Sequence, residues 1–84
     1  MDDIKQEIRH FLGEVLPNGK MSSVTNDTPL RTSGLLDSMA LLRLVSFVEE
    51  KFGIEVDAYE ASADNFDRID DIAAFVERKR MAKA

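Results

Sequence analysis

Residues 38–52 read SMALLRLVSFVEEKF, the clearest helical pattern in the chain. Its apolar residues recur at helical spacing and fall within one narrow arc at about 100° per residue; they are Leu41, Leu44, Val45, Val48 and Phe52. Gly53 follows as a stop, while Asp37 and Ser38 each provide a side chain able to cap the start. The sequence therefore predicts an amphipathic second helix from Ser38 to Phe52, with either residue as its N-cap.

An earlier helical pattern occupies residues 2–16 and is followed by a long loop. Its apolar face consists of Ile4, Ile8, Phe11, Leu12 and Val15. Asp2 and Asp3 suit the positive end of a helix dipole, and Pro17 disfavours helical geometry in the residue before it. Residues 17–37 show no period, and a structureless loop of about 20 residues is often functional. We expect four apolar residues to pin this loop against the helices: Val24, Leu30, Leu35 and Leu36.

The C-terminal third predicts two further helical elements. Residues 58–64 suit one or two helical turns, and a last helix begins near Asp67, which with Asp70 resembles a capping box. The inward face of this helix consists of Ile69, Ile72, Ala73 and Val76, and basic residues fill its last turns. The predicted fold is all-α: a small helical bundle of three main helices, a short helix between the second and the last, and a long loop after the first. Residues 1–84 are expected to form a single domain.

Composition excludes several classes of function. Asp and Glu outnumber Lys and Arg by 16 to 11, and the resulting net charge of −5 repels the phosphates of nucleic acids. Cysteine is absent and His10 is the one histidine, so disulfides, cysteine nucleophiles and multi-histidine metal sites are excluded. His10 lies off the apolar arc and is expected to face solvent. Without a nucleophile and base pair, an enzyme is not expected.

The sequence also argues against a calcium-binding loop and a membrane-spanning helix. Residues 55–71 contain seven carboxylates, but they lack the alternating oxygen ligands and central Gly of an EF-hand. A solvated acidic face is therefore expected instead of a calcium loop. No apolar run approaches the ~20 residues of a membrane helix, and the acidic N-terminus is unlike a signal peptide. These patterns favour a soluble cytoplasmic protein without a membrane span, and a monomer is expected.

Ser38 has two interpretations on the residues alone. It can cap the second helix, which is an ordinary structural role for serine. It can also present its hydroxyl at a helix N-terminus, where free backbone donors accommodate an anion, including a phosphodiester on that same hydroxyl. The long loop before Ser38 is consistent with the second interpretation, because such loops are often functional.

The chain resembles the acyl carrier proteins, a family that includes fatty-acid, polyketide, peptidyl and D-alanyl carriers. Residues 37–39, Asp-Ser-Met, resemble the Asp-Ser-Leu triplet that opens the second helix of these carriers. Residues 49–54, EEKFGI, resemble the end of that helix, and residues 65–72, NFDRIDDI, resemble the turn into the last one. The resemblance covers nearly the whole chain.

The resemblance implies a function that needs no catalysis by the carrier itself. A phosphopantetheinyl transferase would move 4′-phosphopantetheine from coenzyme A onto Ser38, with Asp37 beside it as a recognition residue. The terminal thiol would hold cargo as a thioester, so the sulfur comes with the cofactor. Adenylating acyl or aminoacyl ligases and downstream transferases would be the other partners.

Two departures favour a dedicated carrier over a fatty-acid carrier. Met39 stands where Leu is usual, and the outer side of the helix, acidic in fatty-acid carriers, here shows Leu42 and Arg43. Arg43 resembles a peptidyl carrier, and residues 34–38, GLLDS, resemble the stand-alone D-alanyl type. We therefore expect a stand-alone carrier in a specialised biosynthetic pathway.

Met39, Leu42 and Arg43 are the expected partner-binding residues, because exposed apolar side chains beside the serine have no evident folding role. Alternatively, the long loop folds over Met39 and buries it. The rival to the whole functional interpretation is a carrier-like helical interaction module that is never modified, in which Ser38 is only a cap.

Overall fold

The computed structural model describes residues 4–16 and 20–83, which form four α-helices and one short 3₁₀ helix. The helices are α1 (Ile4–Val15), α2 (Ser38–Phe52), α3 (Ala63–Phe66) and α4 (Ile69–Lys83), with the 3₁₀ helix at Lys20–Ser23. The part of the chain described contains no strand, so the predicted all-α bundle of three main helices and one short helix is confirmed. The predicted roles of Asp2, Asp3 and Pro17 lie outside the described residues.

The core lies where α1, α2 and α4 meet, because each helix turns one apolar face inward. Leu44 and Val48 of α2 are fully buried. The other fully buried aliphatic residues of the three main helices come from α1 and α4: Ile8, Leu12, Ile69, Ile72 and Val76. The predicted inward faces of the three main helices are thus confirmed at their centres.

Phe11 and Phe52 were expected in the core, and this expectation is wrong in detail. Both are only half-buried, because they pack around Phe47 at the flank of the bundle. The rings of Phe11 and Phe47 stack with their centroids 4.5 Å apart, and Phe52 meets Phe47 edge-on at 6.2 Å. This aromatic cluster lines the outside of the α1–α2 contact.

The long loop is ordered by apolar anchors and by backbone hydrogen bonds to the start of α4. Val24, Leu30 and Leu36 are buried and Leu35 is half-buried, so the predicted pinning is confirmed. The N–H of Leu30 donates to the carbonyl of Asp67 at 2.6 Å. The loop is therefore attached to the segment before α4 at a point that precedes the start of α2.

The second half of the chain differs from the sequence expectation at two places. The short helix α3 lies at Ala63–Phe66, later than the predicted 58–64, which forms turns in its first part. The capping-box role of Asp67 is wrong: α4 begins at Ile69, and the carbonyl of Arg68 accepts its first helical hydrogen bond, from Ile72 at 2.9 Å. The Asp67 carboxylate points to the long loop instead.

Candidate functional site

The start of α2 is capped by Asp37. Its backbone is extended, with φ −88° and ψ −177°, and its carboxylate accepts a hydrogen bond from the N–H of Ala40 at 2.8 Å. Its carbonyl accepts the N–H of Leu41 at 2.9 Å, the first hydrogen bond of the helix. Of the two caps that the sequence allowed, the structure selects Asp37, and Ser38 becomes the first helical residue.

Because Asp37 is the cap, the Ser38 side chain does not cap the helix. Ser38 is exposed, and its hydroxyl makes no hydrogen bond within residues 4–16 and 20–83. The interpretation of Ser38 as the cap is therefore wrong. Ser33 provides a contrast, because its hydroxyl donates to the carbonyl of Pro29 inside the loop. Ser38 thus presents a free hydroxyl at a helix N-terminus, where backbone N–H groups favour negative charge.

The segment before Ser38 is a closed loop, residues 30–36, that fixes where the serine stands. The N–H of Leu36 donates to the carbonyl of Leu30 at 2.9 Å, and both side chains are buried. Gly34 turns the chain between them with φ +83°, a conformation that residues with a Cβ rarely adopt. Only Asp37 separates the buried Leu36 from Ser38, so the serine stands next to a fixed point.

Asp67 supports this loop from the turn before α4. Its buried carboxylate accepts the backbone N–H groups of Arg31 at 2.9 Å and Thr32 at 3.1 Å, and the Thr32 hydroxyl at 3.2 Å. Burial alone would raise the pKa of Asp67, but these hydrogen bonds and the nearby charge of Arg68 outweigh it and hold the pKa below its usual value. Sequence reasoning missed this role, because Arg31 and Thr32 are 36 and 35 positions away from Asp67 in the sequence.

An exposed apolar surface begins beside the serine. Met39 and Leu42 are 65% and 63% exposed, so the alternative that the loop buries Met39 is wrong. They border a shallow groove of about 420 Å³ between α1 and α2, whose lining also includes Phe11, Arg43, Ser46, Phe47 and Glu50. Arg43 is exposed at this groove. The structure thus brings the five sequence-predicted site residues, Asp37, Ser38, Met39, Leu42 and Arg43, to one end and one outer face of α2.

The acidic segment after α2 forms no metal site. Within the described ranges, no group of three or more His, Cys, Asp or Glu residues could hold an ion. Glu60 instead accepts the N–H of Asp57 at 3.0 Å and pairs with Lys79 at 3.1 Å, and these contacts, in that order, lower the pKa of Glu60. Tyr59 is exposed, as is His10 on α1. None of the helices in these ranges is long and apolar enough to cross a membrane.

Residues 2–76 match the family described as phosphopantetheine attachment site. The chain therefore belongs to this family of carrier proteins, which are not themselves enzymes. The resemblance drawn from residues 37–39, 49–54 and 65–72 is confirmed. The family's cofactor is covalently bound 4′-phosphopantetheine, and its members meet phosphopantetheinyl transferases and biosynthetic enzymes.

Three known proteins illustrate the similarity. The lincomycin biosynthesis protein LmbN of Streptomyces lincolnensis is 39% identical over 72 residues, 86% of this chain but only 26% of the relative's length. The solution structure of a holo acyl carrier protein of Nitrosomonas europaea is 34% identical, with a TM-score of 0.73 over 93% of this chain and 96% of the other. A chain in a crystal structure described as an FAD-dependent dehydrogenase is 25% identical, with a TM-score of 0.72 over 82% of this chain and 97% of its own length.

The residues at the start of α2 fit the cofactor of this family. A phosphodiester needs a hydroxyl that is exposed and not engaged elsewhere, and Ser38 provides one. The adjacent helix N-terminus favours the negative charge of the phosphate. The groove beside Met39 begins at the next residue, so an arm attached at Ser38 would have both solvent and an apolar surface beside it.

Proposed function

We propose that Ser38 is the attachment point of 4′-phosphopantetheine, and that the chain carries acyl or aminoacyl cargo in a specialised biosynthetic pathway. The observation that carries the proposal is the free hydroxyl of Ser38, left uncommitted because Asp37 caps the helix. When bound, the group supplies the thiol that this cysteine-free chain lacks and holds cargo as a thioester. Among the described residues, one cluster of buried side chains extends from Ile4 to Val76, which supports residues 1–84 acting as one carrier domain.

Modification requires only a nucleophilic oxygen and an accessible approach from the carrier. The Ser38 oxygen displaces the nucleotide part of coenzyme A at the phosphate that bears pantetheine. One phosphodiester bond forms as one phosphoanhydride bond breaks, and the hydroxyl proton leaves to the transferase. Asp37 caps the helix start, which holds in place the backbone that carries Ser38 while the transferase approaches.

The partner surface in this proposal is the exposed part of α2 next to the serine. Met39 and Leu42 form its apolar centre and Arg43 its charge. Any enzyme that reaches Ser38 must approach this face, and exposed apolar clusters often mark docking sites. The partners are a phosphopantetheinyl transferase, an adenylating acyl or aminoacyl ligase and downstream transferases. The similarity to a lincomycin biosynthesis protein supports a specialised pathway.

Intact mass spectrometry tests the assignment directly. The purified chain is incubated with a broad-specificity phosphopantetheinyl transferase and coenzyme A. Wild type should gain the mass of one phosphopantetheine group, and Ser38→Ala should gain none. Ser62→Ala, which changes a serine before α3 that makes no side-chain cap hydrogen bond and lies outside the groove lining, is the matched control and should be modified like wild type.

Two results would overturn the proposal. A Ser38→Ala variant that still gains the mass would place the attachment elsewhere. A folded wild-type chain that gains nothing from a transferase active on a known carrier would favour the rival function, an unmodified helical interaction module.

A further inference from the structure

We infer that Asp67 is a positioning residue for the modification of Ser38, acting through the loop of residues 30–36. The inference rests on the proposed function, since it concerns how well the attachment serine is presented. Asp67 is remote from Ser38 in sequence, and neither the capping-box expectation nor the family match assigns it this role. It is nonetheless the one charged or polar residue among those described whose side chain is buried with the core.

Asp67 contacts the loop through its main chain as well as its side chain. Its carbonyl accepts the N–H of Leu30, the first residue of the closed loop. Its carboxylate accepts the N–H groups of Arg31 and Thr32, the next two residues, and the Thr32 hydroxyl. Three consecutive residues of the loop are thus bound to one residue that is anchored between α3 and α4.

The position of Leu30 affects the position of Ser38 through one hydrogen bond and two further residues of the chain. Leu30 accepts the N–H of Leu36, and the chain then continues through the cap Asp37 to Ser38. Displacing residues 30–32 would release the partner of Leu36 and the fixed point from which α2 begins. The loop is therefore the link between the buried carboxylate and the exposed hydroxyl.

The exposure of Arg31 and Thr32 decides what the loss of the carboxylate would do. Both residues are exposed, so water can satisfy their N–H groups once Asp67 is truncated. The core side chains of α1, α2 and α4 make none of these hydrogen bonds, and the buried side chains of Leu30 and Leu36 still anchor the loop to that core. The expected result is a locally mobile loop on a folded bundle, not global unfolding.

Local mobility predicts a characteristic change in the modification kinetics. If the transferase binds only chains with an ordered loop, the apparent affinity falls by the fraction of chains in that state. The KM for the carrier should therefore rise roughly tenfold in Asp67→Ala if the ordered fraction falls to about a tenth. The kcat should change little, because Ser38 and its cap are intact in the bound complex.

The variants are chosen to separate positioning from general destabilisation. Asp67→Asn keeps an oxygen for the two backbone N–H groups and should restore much of the wild-type KM. Thr32→Val removes only the hydroxyl contact and should raise the KM to a smaller extent. Its matched control is Thr28→Val, the same change in a part of the loop that does not touch Asp67. Val76→Ala, in the core of α4, controls for lost stability.

The experiment measures the transferase KM and kcat for each carrier, with urea unfolding and amide hydrogen exchange on the same unmodified samples. Support consists of a raised KM in Asp67→Ala and Thr32→Val, unchanged kinetics in Thr28→Val, and faster exchange at the amides of residues 30–36. If Asp67→Ala does not fold, Thr32→Val against Thr28→Val carries the test.

The outcomes distinguish this inference from the proposed function. If wild type is modified on Ser38 and the Asp67 and Thr32 variants keep the wild-type KM, the positioning role is overturned and the attachment site stands. A KM that rises equally in Val76→Ala also overturns it, because the effect is then general instability. If Ser38 is not modified at all, the proposed function fails and the positioning role is overturned with it. Exchange in the loop then reports only on structure.

Discussion

The Asp37 carboxylate lies 2.8 Å from the backbone nitrogen of Ala40, so the residue before the serine, and not the serine, closes the first turn of α2. Asp and Ser are about equally good N-caps, and either could have held this position. With Asp37 as the cap, Ser38 shifts into the first turn with its hydroxyl exposed. One hydrogen bond thus engages Asp37 in the cap and leaves the Ser38 hydroxyl outside it.

Removing this cap should affect modification more than folding. Asp37→Ala loses the bond to Ala40 and should lower the free energy of unfolding by about 0.5–2 kcal/mol, the usual cost of an N-cap. The bundle should remain helical by circular dichroism, while the transferase modifies it more slowly than wild type, as followed by intact mass. Asp37→Asn is the matched control, because asparagine also caps helices. Normal modification kinetics in Asp37→Ala would refute a recognition role for this residue.

Truncating the centre of the α2 arc should threaten the whole fold. Leu44 is fully buried, and replacing such a leucine with alanine costs about 2–5 kcal/mol. A domain of this size has roughly 4–13 kcal/mol of stability, so Leu44→Ala should unfold at much lower urea concentration or not fold. Leu42→Ala, the same change at a 63% exposed position two residues away, should alter stability by about 0.5 kcal/mol or less. Equal urea midpoints for the two variants would contradict the arrangement of buried and exposed faces.

The second helix was predictable to the residue because its signals are local. Asp37 and Gly53 mark its two ends, and Gly53 adopts the left-handed conformation, φ +66°, that a helix stop requires. The exposure of Met39 and Leu42 followed from the same period. The period could not predict whether the loop covers these two residues, because that depends on where residues 30–36 lie in three dimensions.

The role of Asp67 shows where sequence reasoning stopped. Its spacing from Asp70 predicted a local cap, but the carboxylate binds Arg31 and Thr32, residues 36 and 35 positions away. No periodicity relates such distant partners, and Asp67, between Phe66 and Arg68, looks like an ordinary helix-start residue in the sequence. The stack of Phe11 on Phe47 was missed for the same reason, since it depends on how two helices cross.

Acid should selectively weaken the contribution of Asp67. Its pKa in the folded chain lies below the ordinary 3.8, so the carboxylate favours folding above that pH and loses this contribution as the pH falls through the folded value. The charged and polar groups at this carboxylate are Arg68 on its own segment, and the Thr32 hydroxyl and two N–H groups from the loop. Hydrogen bonds to a charged group contribute about 1.5–3 kcal/mol.

The measurement is the difference in unfolding free energy between wild type and Asp67→Asn, by urea titration across this pH range. The difference should be constant from neutral pH down to mildly acidic pH and should shrink as the pH falls below 3.8. Subtracting the variant cancels the titration of the other carboxylates, provided that they are distant. A difference that grows on acidification would show that the carboxylate is destabilised in the folded chain.

The outer face of α2 should determine which enzymes accept this carrier. Met39 and Leu42 present the apolar centre, and Arg43 places a positive charge where fatty-acid carriers are acidic. Enzymes of fatty-acid synthesis hold their carriers through basic residues, and like charges across an interface disfavour a partner. We expect Arg43→Glu to improve acceptance by a fatty-acid synthase transacylase and to weaken loading by the adenylating ligase proposed as a partner of this chain. Met39→Ala and Leu42→Ala should each slow that loading by roughly 5–30-fold, the effect of losing about 1–2 kcal/mol at an interface centre.

This prediction is tested by the loading kinetics of variants that are already fully phosphopantetheinylated. A difference in loading rate then cannot come from slower modification by the phosphopantetheinyl transferase. Met81→Ala and Arg78→Glu are the matched controls: Met81 is 77% exposed, Arg78 is also exposed, and both lie on α4 and outside the lining of the groove beside Met39. They should be loaded at the wild-type rate, since they remove the same kinds of side chain from a different face. If the α2 variants also load normally, the docking surface lies elsewhere. The acidic stretch around Tyr59 to Asp64 is then the next surface to substitute, because its exposed tyrosine and carboxylates suit a basic partner.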